Sequence, residues 1–211
     1  MKLLIFGASG TIGTLVVEKA LHEGFDVKVY IRNPSKLTII HPKLEIIKGE
    51  LHDYDKIKNA VSGIDTVIST LGPPVKRYYN GFHVLEGHKN IIRAMKNENV
   101  KRFITIATPS VRFEKDIPSL ITKLPTIMAK LFLPKAYKEI VEIGNFIVLS
   151  GLDWTIVRFV SPNNTKGIGD AKVTFGDKKV KMGISRADIA QFILKEAKEN
   201  NYIRSMPIIG S

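Results

Sequence analysis

The chain has 211 residues, which predicts a single domain, and its 44% hydrophobic and 25% charged content excludes a disordered or fibrous chain. It contains no cysteine, so disulfide frameworks, thiolate metal sites and cysteine nucleophiles are excluded. Lys and Arg number 32 against 20 Asp and Glu, a net charge of +12 whose scattered residues fit an anionic small molecule, nucleic acid, anionic lipid or plain solvation.

In chain order, Lys2–Phe6 reads as a buried strand, and Thr11–His22 as a helix with Ile12, Leu15, Val16 and Ala20 on one side. Val27–Ile31 and Leu44–Ile47 are the second and third strands, and Asp53–Val61 is helical. Thr66–Thr70 is the fourth strand, Tyr79–Asn97 a longer helix and Arg102–Ala107 the fifth strand. Val- and Ile-rich strands separated by helices predict βαβ crossovers and a parallel sheet covered on both faces. Further on, Ile117–Leu133 carries a helical apolar stripe interrupted at Pro134, Lys138–Leu149 is a helix ended by Gly151, and Thr155–Phe159 is a sixth strand. Lys172–Phe175 and Lys179–Met182 read as a hairpin turning at Gly176-Asp177. Ser185-Arg186-Ala187-Asp188 is a capping pattern opening a helix, and Arg204–Ile209 is the last strand. The predicted architecture is a Rossmann-type doubly wound α/β sheet over 1–211. A small C-terminal elaboration, about 110–135 and 160–184, forms the acceptor side. Met1–Phe6 meets glycine too soon for a signal peptide, and no run approaches the roughly 18 apolar residues of a membrane helix. A cytoplasmic location is the expectation.

Gly7-Ala8-Ser9-Gly10-Thr11-Ile12-Gly13 lies between the first strand and the first helix. In that context the three glycines predict a dinucleotide site. Gly7 permits the sharp turn, Gly10 lets a pyrophosphate approach the backbone, and Gly13 lets the helix pack closely. The helix start offers free N–H groups, and Ser9 and Thr11 add hydroxyls. The residue that meets the adenosine ribose should end the second strand. That position holds Arg32, followed by Asn33-Pro34-Ser35-Lys36 and no acid. A guanidinium there suits the 2′-phosphate of NADP, so NADPH is preferred over NADH.

These stretches resemble the atypical short-chain dehydrogenase/reductases of the NAD(P)-binding, NmrA-like group, most nearly the branch that contains biliverdin and flavin reductases. The resemblance is carried by Gly7–Gly13, Val29–Leu37, Ile47–Asp53, Asp65–Gly72, Ser150–Arg158 and Ile184–Ala190. It implies that Gly7, Ser9, Gly10, Thr11 and Ile12 line the pyrophosphate, with Gly13 completing the turn, and that Arg32 and Lys36 take the 2′-phosphate. Glu50 and Leu51 would lie near the adenine. Thr70, Leu71 and Gly72 would lie on the ribose and nicotinamide side, and Thr108 near the nicotinamide. The family's usual proton donor is a tyrosine four residues before a lysine. Lys138 matches that lysine, as a ligand to the cofactor ribose, but Pro134 stands at the tyrosine position. Tyrosine-driven carbonyl reduction is therefore disfavoured, whereas a conjugated acceptor can take hydride and draw its proton from solvent. By the same resemblance Ser110 is the catalytic candidate beside the acceptor, with a solvent-facing hydroxyl as the alternative.

Phe113, Tyr137, Pro162 and Asn163 are placed to border an apolar planar substrate. No histidine spacing makes a metal site. The stripe within Leu120–Phe132, flanked by Lys115, Lys123 and Lys130, fits a core-packing helix first, a flap over the acceptor second and a membrane-surface helix third. Together these features point to an NADPH-dependent oxidoreductase that transfers hydride to a flavin, quinone or similar acceptor. The alternative is a non-catalytic, NmrA-like dinucleotide-binding redox sensor. No nucleic-acid motif is present.

Overall fold

Leu3, Leu4, Ile5 and Phe6, four successive residues of the first strand, are fully buried. A strand achieves this only when both faces of its sheet are covered. The computed structural model, which describes residues 1–211, shows how. The strands are β1 (Lys2–Phe6), β2 (Asp26–Ile31), β3 (Leu44–Lys48), β4 (Thr66–Ser69), β5 (Arg102–Ala107), β6 (Asp153–Arg158), β8 (Lys172–Thr174) and β10 (Ile208–Gly210). They form one sheet in the order β3-β2-β1-β4-β5-β6-β10-β8. Every pairing is parallel except β10 with β8.

Alternation along β1 divides the core in two. Leu3 and Ile5 join a cluster with Val16, Val17 and Ala20 of α1 (Thr11–His22) and Ile189 and Ile193 of α6 (Arg186–Glu199). Leu4 and Phe6 face the other way. Their cluster includes Ile57 of α2 (Tyr54–Val61), Ile91 and Met95 of α3 (His83–Asn97), and Ile143 and Ile147 of α5 (Pro134–Val148). Each fully buried aliphatic side chain contributes about 1.5–3 kcal/mol, so the two-sided burial is what holds the sheet between its helices. The order reverses at β1, between β2 and β4, and an open α/β sheet binds ligands at the carboxyl ends of the strands there.

The second half departs from the sequence-based expectations in several places. There is no hairpin at 172–182, because β8 pairs with β10 from the end of the chain. The turn itself is real: Gly176 adopts φ +97, and the Thr174 hydroxyl accepts from the Gly176 and Lys178 N–H groups. Pro134 interrupts the apolar stripe as expected, since the helix before it stops at Phe132, but it is also the first residue of α5, four residues before the expected start at Lys138. Its fixed φ and missing N–H cost nothing at a first helical position. A two-stranded pair, β7 (Pro162–Asn163) with β9 (Ile184–Ser185), was not predicted. The capping pattern before α6 is formed as expected, with Ser185 accepting from the Asp188 N–H.

The helix expected to pack in the core is α4 (Leu120–Phe132), and it does not. Only Ile121 and Thr126 are buried. Helical periodicity shows that a helix has an apolar face without showing whether anything covers it.

Candidate functional site

The turn after β1 is built by glycine where nothing else fits. Gly7 sits at φ +77, and a Cβ there would lie 2.6 Å from the Thr70 hydroxyl. A Cβ on Gly13 would lie 2.2 Å from the Gly7 carbonyl oxygen, so α1 can start this close to the turn only with glycine at that position. Thr14 and Thr70 tie the turn down by donating their hydroxyls to the carbonyls of Ala8 and Phe6. The first intrahelical bond of α1 runs from Thr14 N to Gly10 O, which leaves the N–H groups of Thr11, Ile12 and Gly13 free of backbone partners. No acid occupies the first turn of α1, so its positive end faces the opening unneutralised.

Beside this turn is a cleft of about 760 Å³ whose lining includes Gly7, Ser9, Arg32, Lys36, Glu50 and Leu71, with Leu51 among its further wall residues. The structure thus brings seven of the predicted cofactor residues to one cavity from the ends of four strands. Arg32 and Lys36 are exposed, and the Asn33 side chain holds the turn between them by accepting from Ser35 N (3.2 Å) and Ser35 Oγ (2.8 Å). The ends of β2 and β3 are linked by Tyr30, whose hydroxyl donates to the Glu50 carbonyl at 3.0 Å. Burial, with Asp53 and Glu50 nearby, pushes the Tyr30 phenol up to about 12. Gly10 and Thr11 are exposed at the start of α1, with Ile12 and Gly13 buried behind them. Thr70 packs against the glycine turn, and Gly72 and Thr108 are exposed on their loops.

The residues expected on the acceptor side are more dispersed. Ser110 is buried, 3% exposed, and its hydroxyl has no hydrogen-bond partner. Phe113 lies 5.9 Å from the Phe175 ring and lines a cavity of about 260 Å³ with Pro109, Thr122 and Lys123. Lys138 is exposed, 4.0 Å from Glu142 and 5.9 Å from the Phe82 ring. Tyr137 is half-buried under the Lys130 ammonium. Pro162 and Asn163 form β7, where the Asn163 side-chain Oδ1 accepts from the Thr165 N–H and hydroxyl. Ser110, Tyr137, Lys138, Pro162 and Asn163 line neither this cavity nor the larger cleft.

Three buried polar constructions at this edge of the sheet escaped the sequence reading. Arg158, fully buried, donates both terminal nitrogens to Asp116 at 2.6 Å and also reaches the carbonyls of Val111 and Met206, pinning the loop after β5 to β6. Glu139, fully buried on α5, accepts from Val84 N (2.9 Å), Leu85 N (3.1 Å) and Tyr79 OH (2.6 Å). It thereby caps the start of α3 and holds the loop after β4, which Lys135 also grips through the Tyr79 carbonyl. Burial and the carboxylate partner push the Tyr79 phenol above its ordinary value. His88 is the third. Its Nδ1–H donates to the Val84 carbonyl at 2.8 Å, so Nε2 accepts from Ser69 at 3.1 Å. Burial pushes its pKa down to about 4. The available signal was an ionisable residue on a core-facing stripe: Glu139 precedes Ile143 and Ile147 at four-residue spacing, and His88 shares the apolar face of Leu85, Ile92 and Met95.

Residues 7–200 match a family model described as NAD(P)H-binding. Phenylcoumaran benzylic ether reductase 1 of Arabidopsis thaliana is 30% identical over 167 residues, covering 74% of this chain and 47% of that protein. The chain spans less than half the length of the curated relatives it matches. Among solved structures, a wide-type short-chain dehydrogenase/reductase of Veillonella parvula in complex with NADP superposes with a TM-score of 0.79 at 18% identity, covering 100% of this chain and 94% of that one. ChuY of Escherichia coli O157:H7, described as an anaerobillin reductase, superposes with a TM-score of 0.77 at 19% identity, covering 100% and 97%. At such identities the structural likeness shows the fold alone.

Proposed function

The chain belongs to the NAD(P)H-binding family, and we propose that it acts as a single unit, an NADPH-dependent reductase that passes hydride to a conjugated acceptor such as a flavin or quinone. The observation that carries the cofactor choice is the shared cleft: Arg32 and Lys36 open onto the same cavity as the Gly7–Ser9 turn, and no acid ends β2. The glycine cradle fits a pyrophosphate, since any side chain at Gly7 or Gly13 would collide with backbone and the first N–H groups of α1 are free. In this reading Thr11, Ile12 and Gly13 bind the paired phosphates through N–H, with Ser9, Gly10 and the Thr11 hydroxyl beside them. The Arg32 guanidinium and Lys36 hold the 2′-phosphate through charge-assisted bonds. Glu50 and Leu51 border the adenine, Thr70, Leu71, Gly72 and Thr108 lead to the nicotinamide, and Lys138 approaches the ribose. The bound nicotinamide supplies the hydride.

On the acceptor side, Ser110, Phe113, Tyr137, Pro162 and Asn163 orient the substrate. A conjugated acceptor is favoured because α5 begins with Pro134 where the tyrosine acid would stand, so the chain's contribution is proximity and orientation. ChuY, a reductase by its own description, has the same fold. Mixing purified protein with NADPH and FMN, riboflavin or a quinone should bleach the nicotinamide absorbance band. Tight NADPH binding with no bleaching by any acceptor would overturn the reductase reading in favour of a redox sensor.

A further inference from the structure

Helix α4 leaves most of its apolar face uncovered, where the other helices pack theirs into the two core clusters. Leu120, Leu124, Ile127, Met128, Leu131 and Phe132 are 45–77% exposed. At roughly 100° per residue they occupy one arc of about 140°. Ile117, just before the helix, is also exposed and extends the apolar surface. Lys123 and Lys130 border the arc, and α4 contains no Asp or Glu. Neither lysine is in an ion pair. An apolar face of this kind, within which only Ile121 is buried and along one edge of which Lys123 and Lys130 lie, marks an interaction surface rather than ordinary scatter.

Charge decides among the occupants. A second copy would bring the same lysines and another +12 against this face. An anionic lipid surface complements both features: acyl chains take the apolar arc, and headgroups meet lysines whose aliphatic stems lie along it. Thirteen residues make a helix of roughly 20 Å, which suits lying in the interface plane, and no helix of the chain is long and apolar enough to cross a membrane. The Ser119–Thr122 capping box orders the start of α4, and the buried Ile121 and Thr126, the latter bonded to the Pro109 carbonyl, hold it to the body, so the face is presented already folded. We infer that α4 docks this protein on anionic membrane surfaces through Leu120, Leu124, Ile127, Met128, Leu131 and Phe132, with Lys123 and Lys130 on the headgroups.

Co-sedimentation with phosphatidylcholine vesicles, with and without phosphatidylglycerol, tests this directly. At low salt, binding to the anionic vesicles should be at least roughly tenfold stronger than to phosphatidylcholine alone. Leu120→Glu/Leu131→Glu alters two exposed positions, so circular dichroism should be unchanged while vesicle binding falls roughly tenfold or more. Lys123→Gln/Lys130→Gln should weaken it several-fold. In Leu131→Trp the new indole should shift to the blue with anionic vesicles, against the constant background of the buried Trp154. Absence of binding to anionic vesicles would overturn the inference. So would binding that Leu120→Glu/Leu131→Glu leaves intact, since net charge alone would then be responsible. A concentration-dependent dimer dissolved by the same substitution would overturn it too, by assigning the face to a second copy.

Discussion

The carboxyl edge of the sheet is built in two different ways on its two sides. Beyond β1, β2 and β3 the chain makes tight turns with exposed polar groups: free N–H groups at α1, then Arg32, Lys36 and Glu50 around one cleft. Little there is anchored by buried charge. Beyond β5 and β6 the loops are long, and they are fixed by buried polar groups such as Arg158 with Asp116. Between them, the loop after β4 is held by Glu139 and Tyr79. A tight turn needs only local geometry, whereas a long loop must be fixed by contacts from distant elements. Mutations on the first side should therefore change binding with little effect on folding, and those on the second should do the reverse.

The largest effect is expected at Asp116→Ala, which leaves the fully buried Arg158 guanidinium without its carboxylate. Breaking a buried pair from one side costs about 3–5 kcal/mol, to be read from urea unfolding. A loss under about 1 kcal/mol would show that the loop after β5 is held by something else. Next is the pH dependence set by His88 beneath the β4 loop. Its folded pKa of about 4 lies below the ordinary 6.5, so the unfolded chain takes up the proton first. Its stabilising contribution is complete above pH 6.5 and is lost as pH falls toward 4, by about 3 kcal/mol in all. His88→Gln should remove that part of the slope in unfolding experiments across this range.

On the opposite side, Arg32→Ala should weaken NADPH binding roughly 10–100-fold, the worth of charge-assisted bonds to a phosphate. NADH affinity and unfolding stability should stay unchanged. Calorimetry with both nucleotides checks this, and an unaltered NADPH preference would remove the role given to Arg32. Ser110→Ala, although on the second side, should also leave folding nearly intact. Its unpartnered buried hydroxyl contributes nothing to folding, so the variant should be equally stable or up to about 1 kcal/mol more stable. If the hydroxyl serves the acceptor, turnover falls at the same time. Unchanged turnover would leave Ser110 as a buried loop residue only.

Much of the architecture was legible from local pattern. Continuous apolar runs located β1, β4 and β5, because strands covered on both faces cannot alternate with polar residues. The turn from Gly7 to Gly13 was legible because its chemistry is contained within seven adjacent residues. The position of Arg32 and Lys36 beside that turn was legible because a parallel sheet places successive strand ends side by side. The failures share a cause. The Gly176-Asp177 turn was read correctly, but the partner of β8 arrives from Ile208–Gly210, near the end of the chain. Tyr79 and Glu139 meet across 60 residues, and Arg158 and Asp116 across 42.

By itself the sequence therefore determined the class of the fold, the order of its principal strands and helices and the glycine turn after β1, since each follows from residues close together in the chain. The tertiary structure decided which buried charges meet, which loop Glu139 caps, and that the apolar face of α4 points away from the core. Those outcomes depend on how distant elements pack against one another, and hydrophobic periodicity records a face without recording what it meets.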